Sequence, residues 1–396
     1  MNTRREFLKI SSLASAAFLT PAFLQSACNR SYESNGKKLV IIQLSGGNDG
    51  LNTVVPYQND LYYNARQSLG VSASEVIKLN DEQGLNPVMQ PFYELYDEGM
   101  VSILNAVGYP NPNRSHFRSM DIWHTATDSD QYAETGWLGR YLDHSCSGCA
   151  EPHLLVEIDD GLSLAVKGEE VKGLGVRDPK RLYEATQDKY LQALESNKPK
   201  GKHDALSYLY KTMTETMSSA EYIYEKSNAK KTSKTYPVNE FGRKLKLISE
   251  LIQSDVATEI FYVSLSGFDT HVRQRPQQDR LLKMYSEALK AFVDDLKVSG
   301  RLDDTLIMTF SEFGRRVSQN ASGGTDHGKA NNLFLIGGKL QNPGIFNSAP
   351  DLSKLDAGDL HYQIDFRQVY ASVLKDWLGA DDQLILGKSF TPLSII

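Results

Sequence analysis

The sequence predicts an α/β protein: a mostly parallel, doubly wound sheet in a three-layer αβα arrangement with a helical insertion. Three observations predict it. Short apolar runs recur along the chain, amphipathic helical patterns lie between them, and small polar motifs rich in Gly, Asp, His and Glu flank the runs. Strands alternating with helices favour a parallel sheet covered on both faces, and ligands of such sheets gather outside the carboxyl ends of the strands.

Lys38 to Leu44 is a nearly continuous apolar run, as expected for a central strand buried on both faces. Met100 to Val107, Leu154 to Ile158, Glu259 to Leu265, Thr305 to Phe310 and Leu333 to Ile336 are read as further strands. Residues 178–196 and 204–228 carry Leu, Tyr and Met at helical spacing, and Asn239 to Gln253 and Gln278 to Leu296 show clearer apolar stripes. The segment of about 161–235 is polar and poor in strand signals, and is read as an insertion capping the strand-end face.

The first 28 residues differ from the rest. Arg4-Arg5 precedes a mild apolar stretch, Ile10 to Leu24, that falls short of the ~20 residues needed to span a bilayer. This reads as a twin-arginine export signal, which makes the export machinery a partner and the periplasm or envelope the destination. Gln25-Ser26-Ala27-Cys28 is a candidate lipoprotein junction, with Cys28 as a lipid anchor; a simple cut after Ala27 is the rival. Residues 29–37 read as a tether and 38–396 as the folded domain. Cys146 and Cys149 form a lone C-x-x-C, suited to a disulfide in an oxidising compartment and to only half of a structural zinc site.

Composition is ordinary for a globular protein, with 40% hydrophobic and 23% charged residues among 396 and a net charge of −6. No Lys/Arg block stands out, so nothing supports a nucleic-acid partner. A dinucleotide site at Gly46-Gly47 is disfavoured, since Gly-x-Gly-x-x-Gly is absent there.

Chemistry-bearing residues cluster at the run ends. Gly46 and Gly47 permit a tight turn before Asp49, a candidate ligand for Mg²⁺, Mn²⁺ or Zn²⁺ or an ordinary cap. Ser115 falls near a predicted helix N-terminus, where amide N–H groups favour anions. A hydroxyl there could attack a phosphoryl or sulfuryl centre, with Arg114, His116 and Arg118 nearby. Asp269-x-His271 in an extended segment presents both side chains to one side, and Asp326 and His327 precede another strand. Glu312 is a ligand, a base, or a salt-bridge partner of Arg315 or Arg316. His124, His144, His153, His203 and His361 lack such context and are read as surface or packing residues.

With these residues in view, the chain resembles the twin-arginine-exported family catalogued as domain of unknown function 1501, grouped with the alkaline phosphatase-like hydrolases, sulfatases and cofactor-independent phosphoglycerate mutases. The resemblance runs from about Lys38 to Trp377. It rests on Gly-Gly-Asn-Asp-Gly-Leu-Asn-Thr-Val-Val-Pro-Tyr at 46–57, Arg-Ser-His-Phe at 114–117, Gly-Trp-Leu-Gly-Arg at 136–140, Gly-Phe-Asp-Thr-His at 267–271, Ser-Glu-Phe-Gly-Arg-Arg at 311–316 and Gly-Thr-Asp-His-Gly at 324–328.

The resemblance implies an alkaline phosphatase-like fold, a divalent metal (Zn or Mg/Mn/Ca), and a small phosphate or sulfate ester as substrate. It implies Asp49, Asp269, His271, Glu312, Asp326 and His327 as the metal-ligand set and Ser115 as nucleophile, with Arg114, His116 and Arg118 in the catalytic group. Two departures stand out. Asp269 and His271 are spaced more closely than in the wider superfamily, and Glu312-Phe313 stands where an Asp-His pair is usual. Phe313 cannot ligate, so the site is expected to hold one metal, to recruit Asp326 or His116 as a substitute, or to be reduced to a binding site. The alternative is a non-catalytic envelope protein that keeps the fold and binds a ligand in a degenerate site.

Overall fold

The computed structural model describes residues 36–145, 151–189, 191 and 204–396. The export signal, Cys28, most of the 29–37 tether, the Cys146/Cys149 pair and His203 lie outside the described residues.

The central sheet is built from β1 (Lys38–Ser45), β2 (Val101–Gly108), β3 (Leu155–Glu157), β4 (Leu174–Gly175), β5 (Ile260–Ser266), β6 (Thr305–Phe310), β7 (Asn331–Ile336), β8 (Gly344–Ile345) and β9 (Ile364–Asp365). Its order is β8-β2-β7-β6-β1-β5-β3-β4, with β9 also pairing β2. β1 is parallel to β5 and β6 in continuous register, Ile41 facing Tyr262 on one side and Met308 on the other. β7 is the exception, antiparallel to both β2 and β6. Its first residues therefore lie at the edge where its neighbours end, and this places the loop that precedes it beside theirs.

Alternation along β1 explains the layers. Val40, Ile42 and Leu44 enter one core with Phe92, Leu245, Ile248, Leu282 and Tyr285. Leu39 and Ile41 enter a second with Trp123, Trp137, Leu138, Phe366 and Tyr370. Successive strand residues point to opposite faces, so each face is covered by its own helices. Each fully buried aliphatic side chain contributes about 1.5–3 kcal/mol.

The α-helices among the described residues are α1 (Gly50–Thr53), α2 (Asp60–Ala65), α3 (Gln90–Asp97), α4 (His116–Thr125), α5 (Trp137–Ser145), α6 (Pro179–Thr186), α7 (Asp204–Ala229), α8 (Glu240–Gln253), α9 (Gln274–Val298), α10 (Phe366–Ser372) and α11 (Asp382–Leu386). The first core takes α3, α8 and α9, and the second takes α4, α5 and α10.

The later part of α7 lies elsewhere than over the strand-end face expected for the 161–235 segment, which also contributes β4 to the sheet. In the later part of α7, the Tyr222 hydroxyl accepts the Ala257 N–H, and Lys226 reaches the Ser254 and Asp255 carbonyls, all ahead of β5. This half of the helix thus docks at the amino ends of the strands rather than over the carboxyl edge, because its Tyr and Lys side chains satisfy carbonyl and amide groups in the loop that enters β5. No helix among the described residues is long and apolar enough to cross a membrane.

Candidate metal centre

Five segments meet at the carboxyl edge: those following β1, β2, β5 and β6, and the one preceding β7. Two glycines allow the approach. Gly46 has φ +117°, and a Cβ there would stand 2.4 Å from the Asp269 amide nitrogen; Gly47 has φ +75°, and its Cβ would strike the Phe313 ring at 2.3 Å. Only glycine takes both the conformation and the space. Arg315, fully buried, then ties the segments together. Its guanidinium donates to the carbonyls of Gly47 (2.6 Å), Thr325 (3.0 Å) and Phe268 (2.9 Å) and to Asp269 Oδ1 (2.8 Å).

Around Asp269 Oδ1 stand three imidazole nitrogens: His271 Nε2 at 3.0 Å, His327 Nε2 at 3.2 Å and His116 Nε2 at 3.4 Å. Among the described residues, His116, Asp269 and His327 offer ligand atoms all within 4.8 Å of one another. Each of these two histidines is oriented from behind. His327 Nδ1 lies 2.8 Å from the Arg114 carbonyl, an acceptor only, so Nδ1 carries the proton and Nε2 the lone pair. His116 Nδ1 lies 2.9 Å from Glu312 Oε1, which selects the same tautomer. Its Nε2 is buried and makes no hydrogen bond, the contact with Asp269 being one of distance alone. A carboxylate or carbonyl behind each imidazole is the usual support of a metal-ligating histidine.

The electrostatics follow from these contacts. Partial burial works against charge on Asp269, but the hydrogen bond and positive charge of Arg315 outweigh it and hold its carboxyl at about 2. The Glu312 hydrogen bond raises the His116 pKa above its ordinary value. Burial lowers that of His327, which keeps its lone pair free near neutrality. Phe313 forms an apolar wall, its ring centroid 4.8 Å from that of His116 and 4.7 Å from that of His327.

The other residues singled out from sequence are placed as follows. Glu312 is fully buried and accepts the Gly46 N–H as well as the His116 proton. Asp326 is exposed at the rim, with Oδ1 3.4 Å from His271 Nδ1. Ser115 occupies the cap position of α4, but its hydroxyl makes no capping bond and the residue is exposed.

Asp49 is not brought to the cluster. It is buried with Arg66 Nη1 at 2.5 Å on Oδ2, Gln274 Nε2 on the same oxygen and the Leu51 N–H on Oδ1. Both of its oxygens thus already accept from donors inside the protein. The Arg118 guanidinium turns to the Ser129 and Gln131 carbonyls and stacks 3.8 Å from the centroid of the Tyr132 ring. That of Arg114 is bound to Asp359. Of the remaining histidines, His124 is buried against Tyr262, which accords with a packing role, and burial drives its pKa down to about 3.

Sequence reasoning missed Arg66, which carries no motif and meets Asp49 only through the fold. It noticed Arg315 only as a partner for Glu312, yet Arg315 supports the whole centre.

The structure is similar to several solved ones at low sequence identity. The lipoteichoic acid synthase LtaP from Listeria monocytogenes aligns at 11% identity and a TM-score of 0.38, covering 90% of this chain and 78% of that one. A sulfatase from a Pseudoalteromonas species aligns at 13% and 0.40, covering 94% and 73%. A protein in the alkaline phosphatase superfamily from Vibrio parahaemolyticus aligns at 10% and 0.37, covering 92% and 72%. No curated protein matches the chain. The family model described as Protein of unknown function (DUF1501) matches residues 102–386, and the chain belongs to that family.

Proposed function

We propose that this protein is an exported, metal-dependent hydrolase of phosphate or sulfate esters with Ser115 as its nucleophile. The observation that carries the proposal is the convergence of three imidazole Nε2 atoms on one Asp269 oxygen, with the lone pairs of His116 and His327 turned inward by their outer partners. The buried, unpartnered His116 Nε2 fits a missing electrophile. A mixed nitrogen and carboxylate set suits Zn²⁺ better than Mg²⁺ or Ca²⁺, which favour oxygen.

His116, Asp269 and His327 would hold the metal, with His271 at hand as a further donor. When bound, the metal would supply Lewis acidity toward the ester oxygens and the nucleophile. Ser115 stands between Arg114, whose carbonyl orients His327, and His116. Its hydroxyl oxygen bonds to phosphorus or sulfur as the bond to the alcohol breaks, and the hydroxyl proton passes to the departing alkoxide. Water then releases phosphate or sulfate and restores the serine. The free N–H groups of the first turn of α4 favour the anionic group, a task for which Arg118 is turned the wrong way. Export rests on Arg4-Arg5 and the apolar stretch after it, with Cys28 as the candidate lipid anchor.

Turnover on aryl phosphates and aryl sulfates by the mature protein, compared with Ser115→Ala, tests the reading. Loss of turnover in the variant supports it, and equal rates rule it out.

A second reading, a binding protein without turnover, draws on the Asp49–Arg66 pair, which fills with a guanidinium the surroundings of one expected ligand. It requires that neither ester class be hydrolysed by protein that holds metal.

A further inference from the structure

A short hairpin, Leu355–Asp356 against Asp359–Leu360, lies against the segments that build the centre. Its turn residues Ala357 and Gly358 both have positive φ, as two-residue hairpin turns require. Asp359 is completely buried. One of its oxygens accepts from Arg114 Nη2, and the other stands 3.6 Å from Arg316 Nε without a hydrogen bond, so that contact is ionic only. Arg316 also donates to the Ala357 carbonyl at 3.0 Å.

Both arginines lead to His327. The Arg114 carbonyl accepts the His327 Nδ1 proton at 2.8 Å and so decides which nitrogen faces Asp269. The Arg316 N–H donates to the Asp326 carbonyl at 3.0 Å and so fixes the backbone just before His327. Ring and backbone of this histidine are thus held by two residues whose side chains end on one carboxylate.

We propose that Asp359 is a positioning residue for the metal centre, fixing the orientation and tautomer of His327 through Arg114 and Arg316. A single buried carboxylate between two guanidinia accepts a hydrogen bond from Arg114 and holds Arg316 by charge, whereas an amide offers one oxygen and no charge. Without the charge, each arginine loses its fixed end, and the carbonyl and amide that hold His327 gain freedom. Outer partners of metal-ligating histidines typically govern affinity by 10–100-fold. Asp359 acts one step further out, so about a tenfold effect is expected.

The inference rests on the proposed metal centre for one of its two readouts. Zn²⁺ is titrated into the metal-free mature chain, and the ¹⁵N shifts of His327 report its tautomer in the same metal-free protein. Asp359→Asn is expected to weaken Zn²⁺ binding about tenfold and to turn a single Nδ1–H tautomer into a mixture. Arg114→Met, which keeps the carbonyl and removes the guanidinium, is expected to do the same, and it decides the matter if Asp359→Asn does not fold. Asp356→Asn, on the same hairpin but exposed and paired with Lys329 rather than hydrogen-bonded to Arg114, is expected to change neither readout. Wild-type affinity and tautomer in both Asp359→Asn and Arg114→Met would overturn the inference, as would an equal loss in Asp356→Asn. If the wild-type chain binds no zinc, the metal reading fails, and the tautomer alone decides the role of Asp359.

Discussion

His271 and His327 bring their Nε2 atoms to 2.9 Å from each other, and both face the same oxygen of Asp269. His327 already donates its Nδ1 proton to the Arg114 carbonyl, so its Nε2 has a lone pair to place. Either His271 donates a proton into it, or the two lone pairs share a cation. On the proposed reading the same nitrogens would form a hydrogen-bonded pair without metal and turn their lone pairs to a cation with it, which requires any proton on His271 Nε2 to leave that nitrogen first.

Ser115→Ala separates chemistry from structure. The hydroxyl makes no capping bond, so its removal is expected to leave the melting temperature and metal stoichiometry unchanged. Turnover of aryl esters should fall by roughly three orders of magnitude or more. Wild-type turnover in the variant would assign the attack to another group.

Arg66→Met is expected to destabilise the protein by about 3–5 kcal/mol, because it leaves Asp49 charged and buried without its partner. Denaturant unfolding measures the loss. A change under 1 kcal/mol would show that the pair does little for the fold and would reopen Asp49 as a ligand.

β1, β2, β3, β5, β6 and β7 were readable because each is a largely apolar, buried run, and β1 alternates cleanly between the two cores; β4, β8 and β9, two residues each, were not read. The direction of β7 was not readable. An apolar run has no polarity, so only the fold shows that the loop before it, with His327, reaches the same edge as the loops after its neighbours. Asp269-x-His271 was legible as a local pair, because alternate residues of an extended segment share a side. Asp49 was expected as a ligand because its neighbours look the part; sequence could not reveal that an arginine on a separate turn occupies it. Asp359 sits on a hairpin whose strands are two residues each, too short for any periodicity. His116 was seen beside Ser115 as a catalytic candidate, and only the geometry brings its free nitrogen to Asp269.

Glu157 offers a test of stability against pH. Burial pushes its carboxyl up to about 7 from an ordinary 4.5, the Ser163 N–H bond only partly opposing this. A raised carboxyl favours the folded state below the unfolded pKa, and that advantage is lost as pH rises through about 7. Glu157→Gln keeps an acceptor for Ser163 and removes the charge. It is expected to melt higher than wild type at pH 8, with the gain shrinking toward pH 4.5. A gain independent of pH would show that Glu157 does not titrate in this range.

The central claim is a metal site at Asp269, and calorimetric titration of Zn²⁺ into the metal-free chain tests it most directly. One site per chain is expected, lost in His327→Ala and in Asp269→Asn with the fold of each confirmed by circular dichroism. Absence of binding in the wild-type chain, or binding that survives both substitutions unchanged, would contradict it.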